Sequence, residues 1–260
     1  MREETGAEFQ GDPEFMMSLA RGLAVLRCFA ERERPMTIAQ AAEMTGLSRA
    51  AVRRCLYTLT RLGYAAQEDL SYVLRPKVLS LGYAYLSSSS LAARAQPILD
   101  QLRDELGESC SLGVLEEDEV YYVARAEAGR IMSIALLAGS RLPLYATSMG
   151  RVLLAAQSRE AQEAYLARTE LVALTAKTER SKPALLAKLE QVREEGFAII
   201  DQELEPGLRS IAVPVQGRNG VIAALNVGTQ AARITTADLR TRCLSALRRG
   251  AQRLSMIAAM

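Results

Sequence analysis

Apolar residues recur every third or fourth position through the first hundred residues and then fall into short β-rich runs, a change of period that divides the chain into parts. Ser18 is expected to cap a first helix in which Leu19, Leu23, Leu26 and Ala30 form the apolar stripe, closed by the charged ERERP stretch. Thr37 followed by Gln40 has the form of a capping box, which predicts a short helix from Ile38 until Gly46 breaks it. Ser48 then caps a second helix whose Val52, Cys55, Leu56, Leu59 and Leu62 share one face. Two helices joined by a tight turn read as a helix-turn-helix. After Gly63, residues 64–67 and 71–74 are strand-like runs around a Glu68-Asp69 turn, which makes the motif winged.

Pro76 opens a further helical pattern that reaches Leu86. The serine run 87–90 reads either as a flexible linker or as a joint at which Ser90 caps the next helix; that helix continues through Pro97 to Leu106 and stops at Gly107. Residues 110–116, 120–127 and 131–138 are β-rich, a helix is expected over 148–156, and two more helical stretches extend to Glu195. SIAVPV and VIAALNVG then flank Gly217 to Gly220, a hairpin signal, and Thr235 with Asp238 opens a last helix. Strands enclosing helices predict an α+β domain around a central antiparallel sheet. The expected parts are an acidic, disordered arm at 1–15, a winged helix-turn-helix at 16–75, a linker helix at 76–90 and an effector-binding domain at 91–260.

Charge sharpens this division. The net charge of the 260-residue chain is only +2, but residues 16–77 hold ten Lys or Arg against five acids, while the arm is negative. A basic segment containing the helix-turn-helix suits attraction to DNA phosphates. On the second helix, the face opposite the apolar one carries Ala50, Arg53, Arg54, Tyr57 and Arg61. With Arg49, Ser48 and the Thr37 cap, these residues are expected to meet double-stranded operator DNA, the small alanines letting the backbone approach the major groove. The plainer reading is an ordinary amphipathic helix with solvated arginines. The wing turn is acidic, so contact is expected to rest on the second helix.

No apolar run approaches the roughly 20 residues of a membrane span, and a cytoplasmic protein without a membrane partner is expected. Cys28, Cys55, Cys110 and Cys243 are far apart and read as reduced thiols. The chain has no histidine, which removes the commonest general base and metal ligand. No metal or cofactor is expected. An esterase-like enzyme with Ser148 or Cys110 as nucleophile would need another base; Lys177, Lys182 and Lys188 are present, but no motif sets one beside a serine.

The segments SLARGLAVLRCF, TIAQAAEMTGLSRAAVRRCLYTLTRLGY, LRPKVLSLGYAYLSS, GSRLPLYATSMGRVLLA and GFAIIDQELEPGLRSIAVPV together resemble the IclR family of bacterial transcription regulators over residues 18–257. They look most like its branch of protocatechuate and para-hydroxybenzoate regulators. The resemblance implies a GAF-like C-terminal effector domain, assembly into dimers or tetramers, and control of catabolic operons by small carboxylates. It places the effector beside the helix opened by Ser148, Met149 and Gly150, with Ile131 and Ile134 at apolar positions and Ser210, Asn226 and Gly228 on facing strands. Ile200 stands where one branch of the family has an aspartate, which implies a more apolar floor; whether Asp201 reaches inward is open. A helix start favours an anion, although a plain cap at Thr147 explains the same residues. Arg125, Arg151 and Arg209 are candidates to pair a carboxylate, each with a structural role as its alternative. Tyr121, Tyr122 and Tyr145 either meet a phenolic hydroxyl or pack in the core. The expected protein is a ligand-responsive regulator that binds a palindromic operator as a dimer or dimer of dimers and senses an aromatic carboxylate or a ring-cleavage product. The alternative DNA-binding reading has a C-terminal domain that only oligomerises.

Overall fold

The structure, a computed structural model, describes residue 9 and residues 11–31, 35–88, 90–129 and 136–259. It divides into two compact units, Met1–Tyr85 and Leu86–Met260. Of the acidic arm, residues 1–8 and 10 lie outside the described residues, and the rings of Phe9 and Phe15 stack 4.6 Å apart.

The first unit runs α1 (Met17–Arg27), β1 (Met36–Thr37), α2 (Ile38–Thr45), α3 (Arg49–Arg61), β2 (Ala65–Glu68) and β3 (Ser71–Leu74), followed by α4 (Leu79–Ser88). Local chemistry sets the helix ends. The Thr37 hydroxyl accepts from the Gln40 amide while the Gln40 side chain accepts from the Thr37 amide, Gly46 ends α2 at φ 71°, and the Ser48 hydroxyl accepts from the Ala51 amide. Strand β1, which the sequence pattern did not reveal, pairs with β3 and completes a sheet of order β1-β3-β2. Val25, Cys28, Met36, Ala41, Val52, Leu56 and Tyr72 make the core.

Three expectations fail here. Helix α1 begins at Met17, so Ser18 lies inside it and no side chain caps it at Met16. Its buried residues are Ala24 and Val25, whereas Leu19 and Leu23 are 57% and 47% exposed. Leu62, expected on the buried face of α3, is 54% exposed. Leu19, Leu23, Leu26 and Leu62 instead line an open groove between α1 and α3. So small a core closes over one narrow face of each helix, and periodicity alone does not say which of two apolar faces that is.

The second unit comprises α5 (Ser90–Leu106), β4 (Ser109–Glu116), β5 (Glu119–Ala126), β6 (Arg141–Pro143), α6 (Ser148–Ala155), α7 (Arg159–Arg168), α8 (Lys182–Glu195), β7 (Ala198–Asp201), β8 (Leu208–Gly217), β9 (Gly220–Gln230), α9 (Thr236–Asp238) and α10 (Leu244–Ala259). Six antiparallel strands form one sheet of order β6-β5-β4-β9-β8-β7. The Gly217 to Gly220 turn joins β8 to β9 as expected, and Thr235 with Asp238 forms a reciprocal capping box. In the run expected at 131–138, residues 131–135 lie outside the described residues, residues 136–138 are not strand, and β6 begins only at Arg141.

Apolar side chains of α5 and α10 cover one face of the sheet, and those of α6, α7 and α8 cover the other. Gly250 lets α10 approach closely, since a Cβ there would lie 2.8 Å from Leu102 and 3.1 Å from Leu225. Between β4 and β5 the register shifts, so that Leu112 opposes Ala124 but Gly113 opposes Tyr122, leaving Val123 as an extra residue. This bulge inverts the alternation of β5. Val120 and Tyr122 face the α6 side, Ala124 and Ala126 face the α5 side, and Arg125 therefore returns to the face of Tyr122.

Candidate functional site

On the first unit, Arg49, Ala50, Arg53, Arg54, Tyr57 and Arg61 are all exposed on α3. Ala50, Arg53, Tyr57 and Arg61 share its outer face. Arg54, about 100° round the helix from Arg53, borders the groove toward α1. The Thr37 and Ser48 hydroxyls are engaged in capping, so they set where the helices begin rather than standing free. The wing turn passes through Asp69 at φ 52° and stays acidic.

In the second unit the sheet register brings distant residues into rows. Arg125 on β5 lies opposite Ser111 on β4, which lies opposite Asn226 on β9. In the next row Gly228 opposes Ser210, and Ser210 opposes Ile200. Over these rows sits the start of α6, where the Thr147 hydroxyl accepts from the Gly150 amide. Between them is a small cavity of about 20 Å³ lined by Tyr122, Arg125, Leu136, Ala146, Thr147, Ser148, Ile200, Leu204, Leu208, Ser210, Asn226 and Gly228. Of the residues expected at the effector, Arg125, Ser148, Ile200, Ser210, Asn226 and Gly228 thus meet at one place. Ile131 and Ile134 lie outside the described residues.

Met149 and Gly150 do not line the cavity. Met149 is fully buried against Gly113, where an added Cβ would come 3.0 Å from its sulfur. Gly150 is needed for packing, because a Cβ there would lie 2.3 Å from the Leu144 carbonyl oxygen.

Four polar atoms of the lining residues are unsatisfied. Arg125 Nε and Nη2, Ser148 Oγ and Asn226 Oδ1 are buried without a hydrogen-bond partner among the described residues. Each such group costs about 1–3 kcal/mol when left unpaired, and their convergence marks a place for a polar ligand. A wider cleft of about 330 Å³ between α5 and β5 shares Arg125 and Leu136 with this cavity but is otherwise lined largely by alanines, Val123 and Leu137. The smaller space is the candidate site, because Ser148 and Asn226, with their unmatched atoms, line it and not the wider cleft.

The three candidate arginines separate on geometry. Arg151 is 4% exposed, donates Nε to the Tyr145 carbonyl at 3.0 Å and Nη2 to Glu203 at 2.5 Å, and is structural. Arg209 donates Nε to Asp201 at 2.6 Å and Nη1 to the carbonyls of Ala231 and Ile234. Asp201 therefore faces Arg209 and Lys177 rather than the cavity; burial opposes its charge, but hydrogen bonds from Lys177, Arg209 and Gln202 bring its carboxyl down to about 2. Arg125 alone of the three keeps unpaired donors at the cavity. Tyr122 lines the cavity, and burial raises its hydroxyl pKa while Arg125 pulls the other way. Tyr145 donates to the Val172 carbonyl at 3.1 Å and takes the core role.

Cys110 and the three lysines weighed for an esterase-like reading each have other partners. Burial pushes the Cys110 thiol up to about 12, with Cys243 adding to the effect. Lys177 pairs with Asp201, Lys188 with Glu179, and Lys182 donates to the Leu166 carbonyl. The sequence pattern did not single out Leu136, Ala146, Leu204 or Leu208 at the cavity, nor Ser111 beside it; for Ser111 the available signal was a hydroxyl inside the otherwise apolar run CSLGVL.

Comparison with known proteins agrees with both halves. The IclR helix-turn-helix domain matches residues 18–69, and the bacterial transcriptional regulator IclR C-terminal domain matches residues 83–256. The Pca regulon regulatory protein of Pseudomonas putida is 52% identical over 241 residues, 92% of this chain and 83% of that protein. The crystal structure of an IclR transcriptional regulator from Alicyclobacillus acidocaldarius superposes with a TM-score of 0.83 at 27% identity, covering 94% of this chain and all of that one. A double mutant of the PobR inducer-binding domain from Acinetobacter, in complex with 3-hydroxybenzoic acid, matches 63% of this chain and 97% of its own length at 34% identity and a TM-score of 0.60.

Proposed function

The chain belongs to the IclR family of bacterial transcriptional regulators, and from that footing we propose that this DNA-binding regulator senses a small aromatic carboxylate in the cavity beneath α6. The domain limits read from the sequence, 16–75 for DNA binding, 76–90 for the linker and 91–260 for the effector, are part of this reading, as are a cytoplasmic location and a palindromic operator bound by a dimer or dimer of dimers. The observation that carries it is the unpaired Nε and Nη2 of Arg125 at a cavity that has Tyr122, Leu136, Ile200, Leu204 and Leu208 as its larger apolar and aromatic lining residues. A carboxylate answers the guanidinium and the start of α6, and an aromatic ring suits the apolar wall. The complex of the PobR domain with 3-hydroxybenzoic acid supports the same ligand class.

A space of about 20 Å³ holds roughly one water, so a ring enters only if wall side chains withdraw. Leu136, Leu204 and Leu208 are the rotatable ones. Ligand binding thereby selects a more open arrangement, which is what a sensor needs: differential affinity for two states.

Calorimetry on the full chain tests the ligand class. Protocatechuate or para-hydroxybenzoate is expected to bind, and the matching neutral amides to bind about tenfold weaker, since a charge-assisted hydrogen bond becomes a neutral one. Equal binding of acid and amide would remove the anion site. An aliphatic keto acid or ring-cleavage dicarboxylate that outcompetes the benzoates would replace the aromatic reading.

A further inference from the structure

An arginine side chain has many rotamers, and a carboxylate gains most from it when the guanidinium is already held in the receiving orientation. Arg125 is held at two points. Its Nη1 donates to Ser111 Oγ at 3.0 Å, across the β4–β5 pair where the two residues are register partners. Its backbone carbonyl accepts from Gln96 Nε2 on α5 at 3.1 Å. Ser111 is fully buried between Cys110 and Leu112, a place where an alanine would pack without the cost of burying a hydroxyl.

The choice of nitrogen matters. With Nη1 engaged by Ser111, the two guanidinium nitrogens without a partner are Nε and Nη2, and Nε–H and one of the two Nη2–H bonds lie along a single edge of the planar group and point the same way. Their spacing matches the two oxygens of a carboxylate. Both nitrogens are buried and lack partners among the described residues, and Arg125 lines the cavity. Without the Ser111 contact the side chain could rotate and offer a single donor.

We propose that Ser111 is a positioning residue for effector recognition, fixing Arg125 so that its Nε and Nη2 edge takes the ligand carboxylate in a two-point contact; this rests on the reading that a carboxylate effector pairs with Arg125. Ser111 itself need not touch the ligand.

The test compares wild type, Ser111→Ala, Ser111→Thr and Arg125→Gln as full chains, titrated calorimetrically with 4-hydroxybenzoate and with 4-hydroxybenzamide, alongside the unliganded melting temperature. Ser111→Ala is expected to lose about tenfold in affinity for the acid, the value of one charge-assisted hydrogen bond, while amide affinity and melting temperature stay near wild type. Ser111→Thr, which keeps the hydroxyl, is expected to restore the acid-to-amide ratio. If alanine prevents folding, Ser111→Cys keeps the size with a far weaker acceptor and must show the same fall in the ratio. Wild-type acid affinity in Ser111→Ala, or equal losses for acid and amide, overturns the positioning role. When Arg125→Gln weakens the acid but Ser111→Ala does not, only the role of Ser111 fails; when Arg125→Gln leaves the acid unaffected, the anchor itself is refuted.

Discussion

Arg125 and Arg151 illustrate how neighbours, rather than residue type, assign a role. Arg151 is sealed between the Tyr145 carbonyl and Glu203, and Glu203 also accepts from the Glu179 amide at 3.0 Å. Breaking a buried pair typically costs about 3–5 kcal/mol, and removing Arg151 leaves Glu203 with Lys188, 4.0 Å away, as its remaining cation. Arg151→Ala is therefore expected to lower the unfolding free energy by that order, read by denaturant titration. Arg125→Ala removes the buried, unpaired Nε and Nη2 but also takes the partner from the buried Ser111 hydroxyl, two effects of about 1–3 kcal/mol each that oppose one another, and the same titration should move by clearly less than for Arg151→Ala. Similar losses in the two variants would contradict the separation of structural from ligand-facing arginine.

Among the elements, α3 is the one proposed to read DNA. Its start is fixed by Ser48 and its inner face by Val52 and Leu56, which leaves Ala50, Arg53, Tyr57 and Arg61 outward. Arg54 stands on the flank beside the α1 groove, and this splits an expectation that treated both arginines alike. Arg53→Ala is predicted to reduce discrimination between operator and random DNA by about 1–3 kcal/mol. Arg54→Ala is predicted to weaken binding to all sequences and to flatten the salt dependence by about one unit of slope. Binding isotherms on both DNAs across a salt series check the pair, and an unchanged specificity ratio in Arg53→Ala would remove it from base recognition.

At the scale of the molecule, one recognition helix reads one half-site, and affinity for a full operator comes from two tethered copies. The protein is predicted to protect an inverted repeat with half-site centres about one helical turn, or a multiple of it, apart. Footprinting combined with sedimentation checks this, and a monomer protecting a single half-site would contradict it. Binding should also weaken steeply with salt, because the basic excess lies in residues 16–77 while the chain as a whole is only +2.

The amino-acid sequence by itself determined what local chemistry controls. Caps at Thr37, Ser48 and Thr235, the break at Gly46 and the turn at Gly217 to Gly220 depend on residues within a few positions of one another, so they are legible in one dimension. The family resemblance named residues, among them Ser148, Ile200, Ser210, Asn226 and Gly228, that the fold brings to one cavity. Tertiary structure decided the rest. The two-residue β1 exists only because β3 lies beside it, and the buried face of α1 is whichever one meets its neighbours. The bulge at Val123 turns Arg125 toward Tyr122, and a hydrogen bond to Ser111, fourteen residues away, leaves one edge of the guanidinium unpaired. Three arginines that look equivalent along the chain become different because a side chain's role depends on partners brought from distant strands, and burial makes each unpaired polar atom costly enough to matter.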